Sequence, residues 1–202
     1  MTKRHAPATS RNREPILKVL KQHLPSKGNI LEIASGTGEH GVFFAPYFSP
    51  QQWIPSDQDP ECLASIKSWR RDCSTDNLQS PLTIDVMKEN WHQSLTSQNI
   101  RSLICINMIH ISPWEACVGL IKGTSQILPS DGVLYLYGPY KVNNQHTAIS
   151  NEQFDESLRL RNPLWGIRDL ESVAKLAQEN DLHLKEKIAM PANNFSLIFE
   201  KG

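Results

Sequence analysis

The stretch Ile30-Leu31-Glu32-Ile33-Ala34-Ser35-Gly36-Thr37-Gly38-Glu39-His40 constrains the fold of this chain more than any other. Ile30, Leu31, Ile33 and Ala34 read as a short buried strand with one acid, Glu32, inside it. Ser35 to Gly38 read as a tight turn, and the residues after it can start a helix. A strand, a glycine turn and a helix start together present bare backbone N–H groups to a ligand. Glycine suits such a turn because a Cβ would block close approach and positive φ.

Gly36-Thr37-Gly38-Glu39-His40-Gly41 fits the dinucleotide pattern G-x-G-x-x-G, a weak signal by itself. Glu32 discriminates. An acid in the first strand repels a pyrophosphate and suits a ligand with a positive end. S-adenosylmethionine carries an ammonium and a sulfonium and no phosphate. The run resembles the first motif of class I S-adenosylmethionine-dependent methyltransferases, a hydrophobic strand ending in E/D-x-G-x-G-x-G. Ala34 stands where the first Gly is usual. Ala is the smallest substitution, so the turn is read as intact, with Glu32, Ala34, Ser35, Gly36 and Gly38 as cofactor contacts.

At 202 residues the chain suits a single domain spanning 1–202. Lys plus Arg and Asp plus Glu both number 21, which gives no electrostatic case for nucleic acid or an anionic membrane as main partner. No signal peptide or membrane span is expected. Cys62, Cys73, Cys105 and Cys117 form no C-x-x-C pair, which fits reduced thiols and a cytoplasmic location. The seven histidines lack metal-ligand spacing, so no metal is expected.

In chain order, residues 1–13 read as irregular, and a helix begins at Pro15, carried by Ile16, Leu17, Val19, Leu20 and Leu24. A helix that feeds the first strand starts at the ligand face, which places Ser10, Arg11 and Asn12 near the mouth. Gln52 to Asp57 read as a second strand in which Pro55 is awkward. Asp57 lies at the spacing where an acid accepts from both ribose hydroxyls. Asp59 is its rival, but Asp59-Pro60 reads as a helix cap and first turn. Pro81 to Val86 read as a third strand. By resemblance to methyltransferases, Asp85 would accept from the adenine amino group and the Val86 N–H would meet a ring nitrogen; a plain helix cap is the alternative for Asp85.

Ile100 to Ile106 read as a strand buried on both faces, with Asn107 to His110 emerging at the ligand face. Gly132 to Gly138 form the fifth strand. Residues 139–169 then leave the simple alternation as a cap insertion too long and too aromatic for a plain connection. A helix over Leu170–Asn180 and strands over His183–Ala189 and Ser196–Glu200 close the chain, the last strand antiparallel.

The order is that of a Rossmann-like class I methyltransferase: a mostly parallel seven-stranded α/β sheet with a final antiparallel strand. Arg11–Leu17, Asn107–His110, Gly138-Pro139-Tyr140, Ser150-Asn151 with Phe154-Asp155, Asn162–Asp169 and Met190–Asn194 resemble a family of uncharacterised methyltransferase-like proteins that includes methyltransferase-like protein 26. The resemblance implies fold and cofactor class and no settled substrate. Methyl transfer needs alignment first, and a base only where the nucleophile begins protonated. His110 is the base candidate, with a structural role as alternative. Asn107 would meet the cofactor's amino-acid end or orient the acceptor. Arg11, Asn12, Tyr140, Asn151, Arg168, Asn193 and Asn194 would form the acceptor pocket, and Arg168 would suit a carboxylate or phosphate there unless it pairs with Asp155 or Asp169. The function expected first is a methyltransferase for a small-molecule acceptor, with S-adenosylhomocysteine as product. An S-adenosylmethionine-binding protein without turnover comes second, and an NAD-type oxidoreductase third.

Overall fold

The computed structural model describes residues 3–202, so Met1 and Thr2 of the expected irregular N-terminus lie outside the described residues. Seven strands form one sheet: β1 (Asn29–Ile33), β2 (Trp53–Asp57), β3 (Leu82–Thr83), β4 (Ile100–Ile106), β5 (Val133–Gly138), β9 (Leu182–Met190) and β10 (Asn194–Lys201). Their order is β3-β2-β1-β4-β5-β10-β9, with β10 antiparallel to both neighbours and the other pairs parallel. The order reverses between β1 and β4, and α/β sheets bind ligands at such a switch, outside the carboxyl ends of the strands.

Helices cover both faces. On one, α1 (Pro7–His23) and α2 (Glu39–Phe44) bury Ile16, Leu20 and Phe44 against Ile30, Trp53 and Tyr135. On the other, α4 (Trp114–Ile127) and α6 (Leu170–Gln178) bury Cys117, Leu120 and Val173 against Leu31, Leu103 and Leu134. The helix α3 (Pro60–Arg70) follows β2, capped by Asp59, whose carboxylate accepts from the Glu61 N–H at 2.8 Å.

Two local expectations are corrected, and one awkward residue is explained. Residues 7–14 are helical, and Pro15 lies inside α1 although it offers no N–H to the Arg11 carbonyl. Tertiary contacts hold these turns: Thr9 and Asn12 are buried, and Asn12 Oδ1 accepts from His40 Nε2 at 2.9 Å. The third strand is only two residues long, because Asp85 turns the chain by accepting from the Met87 N–H at 3.0 Å. Pro55 fits inside β2 because its nitrogen faces a gap. Trp53 exchanges hydrogen bonds with Asn77 and Gln79 on that side, and β3 starts only at Leu82.

The 139–169 insertion contains β6 (Tyr140–Val142), β7 (Gln145–His146), α5 (Ile149–Arg161) and β8 (Arg168–Asp169), and its strands make a small sheet β7-β6-β8. Buried Asp155 is its anchor. One oxygen accepts from the Ile167 N–H at 2.6 Å, and the other faces Lys141 at 3.1 Å, Arg159 at 3.3 Å and His146 at 3.4 Å. Burial alone would raise the Asp155 pKa, but the Ile167 N–H and the Lys141 ammonium outweigh it and hold it below the ordinary value. A depressed carboxylate stabilises at neutral pH, and that contribution is lost as the pH falls through the folded value. Asp155→Ala is expected to cost about 3 kcal/mol, as for a broken buried pair, and to speed amide exchange across 140–168 at neutral pH. The difference between variant and parent should shrink below about pH 4, where the unfolded carboxyl is protonated. An unchanged exchange pattern would remove Asp155 as the anchor.

Candidate functional site

A cavity of about 570 Å³ opens at the carboxyl ends of β1, β2 and β4. The turn Ala34-Ser35-Gly36-Thr37 forms its floor. Ala34 takes φ 55°, a left-handed conformation that costs a non-glycine residue roughly 1–2 kcal/mol, so the turn keeps the shape glycine would give it. A Cβ built on Gly36 would meet nothing within 4 Å, so Gly36 leaves room above the floor. Gly38 does different work. It has φ 90°, and its Cβ would come within 2.9 Å of the Ile66 backbone in α3, so it permits close packing and does not line the cavity.

The acids around this floor separate by environment. Asp57 ends β2, lines the cavity, and its oxygens accept from the Gly36 N–H and the Asp59 N–H, each at 2.9 Å. Asp59 also lines the cavity while capping α3, and Asp85 and Val86 line the far wall. Glu32 lies behind the floor, 1% exposed, with Oε2 accepting from Trp53 Nε1 at 2.8 Å. Burial pushes its carboxyl up to about 7, and the Trp53 N–H opposes this only in part. Asp57, Asp59 and Asp85 line the cavity with no Lys or Arg.

Several wall residues escaped the sequence reading. Ala6, Ala8 and Thr9 close one side, held because Glu39 Oε2 accepts from the Ala6 N–H at 2.6 Å and from Thr37 Oγ1 at 3.0 Å. His40 also lines the cavity; burial holds its imidazole down to about 4. Gly119 and Gly123 of α4 lie beneath the Asp85–Trp91 segment, where added Cβ atoms would meet the Val86 carbonyl at 2.0 Å and the Trp91 ring at 2.3 Å. The one available signal was the four-residue spacing of these glycines on a helix face.

A second chamber of about 650 Å³ lies beside the first and shares Ala8, Asn107 and Ile111 with it. Asn107, at φ 61°, terminates β4 and stands in the common wall. Arg11, Asn12, His110, Asn151, Asn193 and Asn194 line this chamber, so segments far apart in sequence meet there. Tyr137, unremarked in the sequence, lines it too; its hydroxyl is raised by burial and opposed by a hydrogen bond with Asn12. His110 is 3% exposed, and its Nδ1 has no partner. Burial, with a smaller push from Arg168, lowers it to about 4.

Tyr140 and Arg168 depart from the expected pocket. Tyr140 is fully buried among Leu136 and Cys117 and lines neither cavity. The Arg168 guanidinium pairs with neither Asp155 nor Asp169. It donates to the carbonyls of Ile109 at 3.1 Å, Ser112 at 2.6 Å and Leu164 at 2.8 Å, and so ties the insertion to the loop that carries His110.

A family of proteins described as "Protein of unknown function (DUF938)" matches residues 3–201. The chain belongs to the DUF938 family. Solved structures share its fold. An O-methyltransferase family protein from Burkholderia thailandensis superposes with TM-score 0.79 at 11% identity, over 96% of this chain and 57% of that one. An O-methyltransferase family 2 protein from Planctomyces limnophilus, in complex with apigenin, gives 0.77 at 15%, over 96% and 60%. Human N-acetylserotonin methyltransferase in complex with S-adenosylmethionine gives 0.75 at 12%, over 96% and 53%. The chain thus spans little more than half the length of these structures, and such identities establish the Rossmann-like methyltransferase fold alone. Among the described residues no helix is long and apolar enough to cross a membrane.

Glu32 gives this DUF938 member a measurable pH signature. A carboxyl raised to about 7 in the folded state from 4.5 holds a proton that the unfolded chain has lost, so stability falls as the pH rises from 4.5 to 7. The slope is at most about 1.4 kcal/mol per pH unit. Glu32→Gln is expected to flatten it, read by urea denaturation at several pH values across that window. A slope of the same size in the variant would assign it to other groups.

Proposed function

We propose that this chain is an S-adenosylmethionine-dependent methyltransferase acting on a small-molecule acceptor, and that its relatives include the methyltransferase-like protein 26 family. One observation carries the reading: the first cavity is lined by Asp57, Asp59 and Asp85 with no Lys or Arg. That lining repels the pyrophosphate of a dinucleotide and attracts a cationic sulfonium and ammonium. The space over Gly36 and the volume of about 570 Å³ fit a ligand of that size.

S-adenosylmethionine supplies an electrophilic methyl group. The chain's own residues hold and orient. Asp57 takes the ribose hydroxyls, and Asp85 with the Val86 N–H takes the adenine edge. Asn107, in the shared wall, stands between cofactor and acceptor. The insertion, through Trp165 on the first cavity and Phe154 on the second, limits water at both. A second chamber against that wall supports turnover over cofactor binding alone. Zero net charge and the absence of a disulfide among the cysteines support a small acceptor, not nucleic acid, and a reducing location such as the cytoplasm.

Calorimetry with S-adenosylmethionine, S-adenosylhomocysteine and NAD tests this. The first two are expected to bind, and at 100 times the dissociation constant to stabilise the fold by about 2.7 kcal/mol. Asp57→Ala is expected to weaken binding by roughly 1.5–3 kcal/mol, whereas Asp59→Ala costs about 1 kcal/mol of helix capping. Binding of NAD alone would sink the reading, and the opposite ranking of the two variants would move the ribose contact to Asp59.

A further inference from the structure

The second chamber is chemically one-sided. Arg11 supplies its one full charge and has no ion-pair partner among the described residues; no Asp, Glu or Lys lines it. Its other donors are oriented by hydrogen bonds. Asn12 Oδ1 can only accept, so His40 Nε2 carries the proton between them at 2.9 Å. The Asn12 amide nitrogen is then left to donate to the Tyr137 hydroxyl oxygen. That leaves the Tyr137 proton free for a ligand. Each link polarises the next toward the chamber.

His110 adds to this polarity. Its Nδ1 is buried without a partner beside Gly138, where even a Cβ would come within 3.2 Å. A proton on Nδ1 would be a buried donor with no acceptor, which a folded protein avoids. The neutral ring therefore carries its proton on Nε2 and has no lone pair there to accept another. His40 commits its Nε2 proton to Asn12. The remaining polar lining groups are the amides of Asn107, Asn151, Asn193 and Asn194 and the Ser150 hydroxyl, none of them a base near neutrality. With its free lone pair on the buried Nδ1, His110 offers the chamber a donor and no base.

An acceptor that meets no base must arrive with its nucleophilic lone pair already free, and beside the Arg11 guanidinium an anion is favoured over a neutral nitrogen base. Thiols, phenols and ammonium groups, with ordinary pKa values of about 8.5, 10 and 10.4, are mostly protonated near neutrality; carboxyl groups, at about 4, are not. We propose, building on the methyltransferase reading above, that the acceptor is a small-molecule carboxylate and the product its methyl ester. A carboxylate oxygen forms the C–O bond to the methyl carbon as the C–S bond breaks, and the bonding pair passes to sulfur. The negative charge of the acceptor and the positive charge of the sulfonium disappear together, and no proton moves. Arg11, Tyr137 and His110 hold the carboxylate, while Phe154, Pro139 and Pro191 offer an apolar wall to the rest of the molecule.

The test has two arms, both on full-length protein. First, protein saturated with S-adenosylhomocysteine is titrated with phenylacetate, phenylacetamide and phenethylamine by calorimetry. Phenylacetate is expected to bind at least tenfold tighter than either analogue, and Arg11→Gln, at an exposed position, to remove most of that preference without loss of cofactor binding. Equal or tighter binding of the amide or amine overturns the proposal. Second, methyl-tritiated S-adenosylmethionine is incubated with a deproteinised small-molecule cell extract. The label is expected in a form that mild alkali releases as volatile methanol, at a rate flat from about pH 6 to 9. Alkali-stable label, a rate that climbs through an ionisation in that range, or no transfer by cofactor-loaded protein overturns it. Failure of S-adenosylhomocysteine to bind at all would instead reject the methyltransferase reading itself.

Discussion

The Asp57 carboxylate holds the cavity end of the sheet together. One oxygen accepts the Gly36 N–H of the turn after β1, and the other accepts the Asp59 N–H that leads into α3. Two parallel strands, a left-handed turn and the start of a helix are thereby fixed by one side chain. Ser35 strengthens the tie, since its N–H donates to the Ser56 carbonyl at 2.8 Å and its Oγ accepts from the Ser56 N–H at 3.1 Å. A floor preorganised in this way loses little freedom when a ligand arrives.

Around that floor the molecule separates charge. Asp57, Asp59 and Asp85 line one cavity, and Arg11 with Tyr137 and His110 lines the other. Asn107, an uncharged residue in a left-handed conformation, stands between them. On the proposed reading, a cation occupies one side and an anion the other, and they react across the shared wall with mutual loss of charge. Burial keeps the imidazoles of His40 and His110 near 4, so neither brings a charge of its own at neutral pH. The insertion belongs to the same design, because Arg168 grips the carbonyls on either side of His110 and Asp155 anchors the insertion's own strands.

Much of this was legible in the residues. Alternating apolar runs and helical spacing lead to the succession of strands and helices, and the glycine turn lies on the floor of the first cavity. The topological argument that a helix feeding β1 begins at the ligand face placed Arg11 and Asn12, which line the second chamber. The departures share a physical cause, which is that distant partners decide. Pro15 looks like a helix start, yet the Asn12–His40 hydrogen bond holds the helical turns before it. Tyr140 looks like a pocket hydroxyl, yet its ring packs in the core. Arg168 looks like an anion binder, yet backbone carbonyls more than fifty residues away satisfy it, and a carbonyl has no signature in sequence. Glu32, the most informative acid in the sequence, is shielded behind the turn, where Trp53 Nε1 donates to it.

The most direct measurement of the central claim is a crystal structure of the chain soaked or grown with S-adenosylhomocysteine. The account predicts ligand density in the cavity above Gly36, with the ribose against Asp57, the adenine against Asp85 and Val86, and the sulfur facing Asn107 and the second chamber. A ligand bound elsewhere, or bound there with its sulfur turned away from the shared wall, would contradict it.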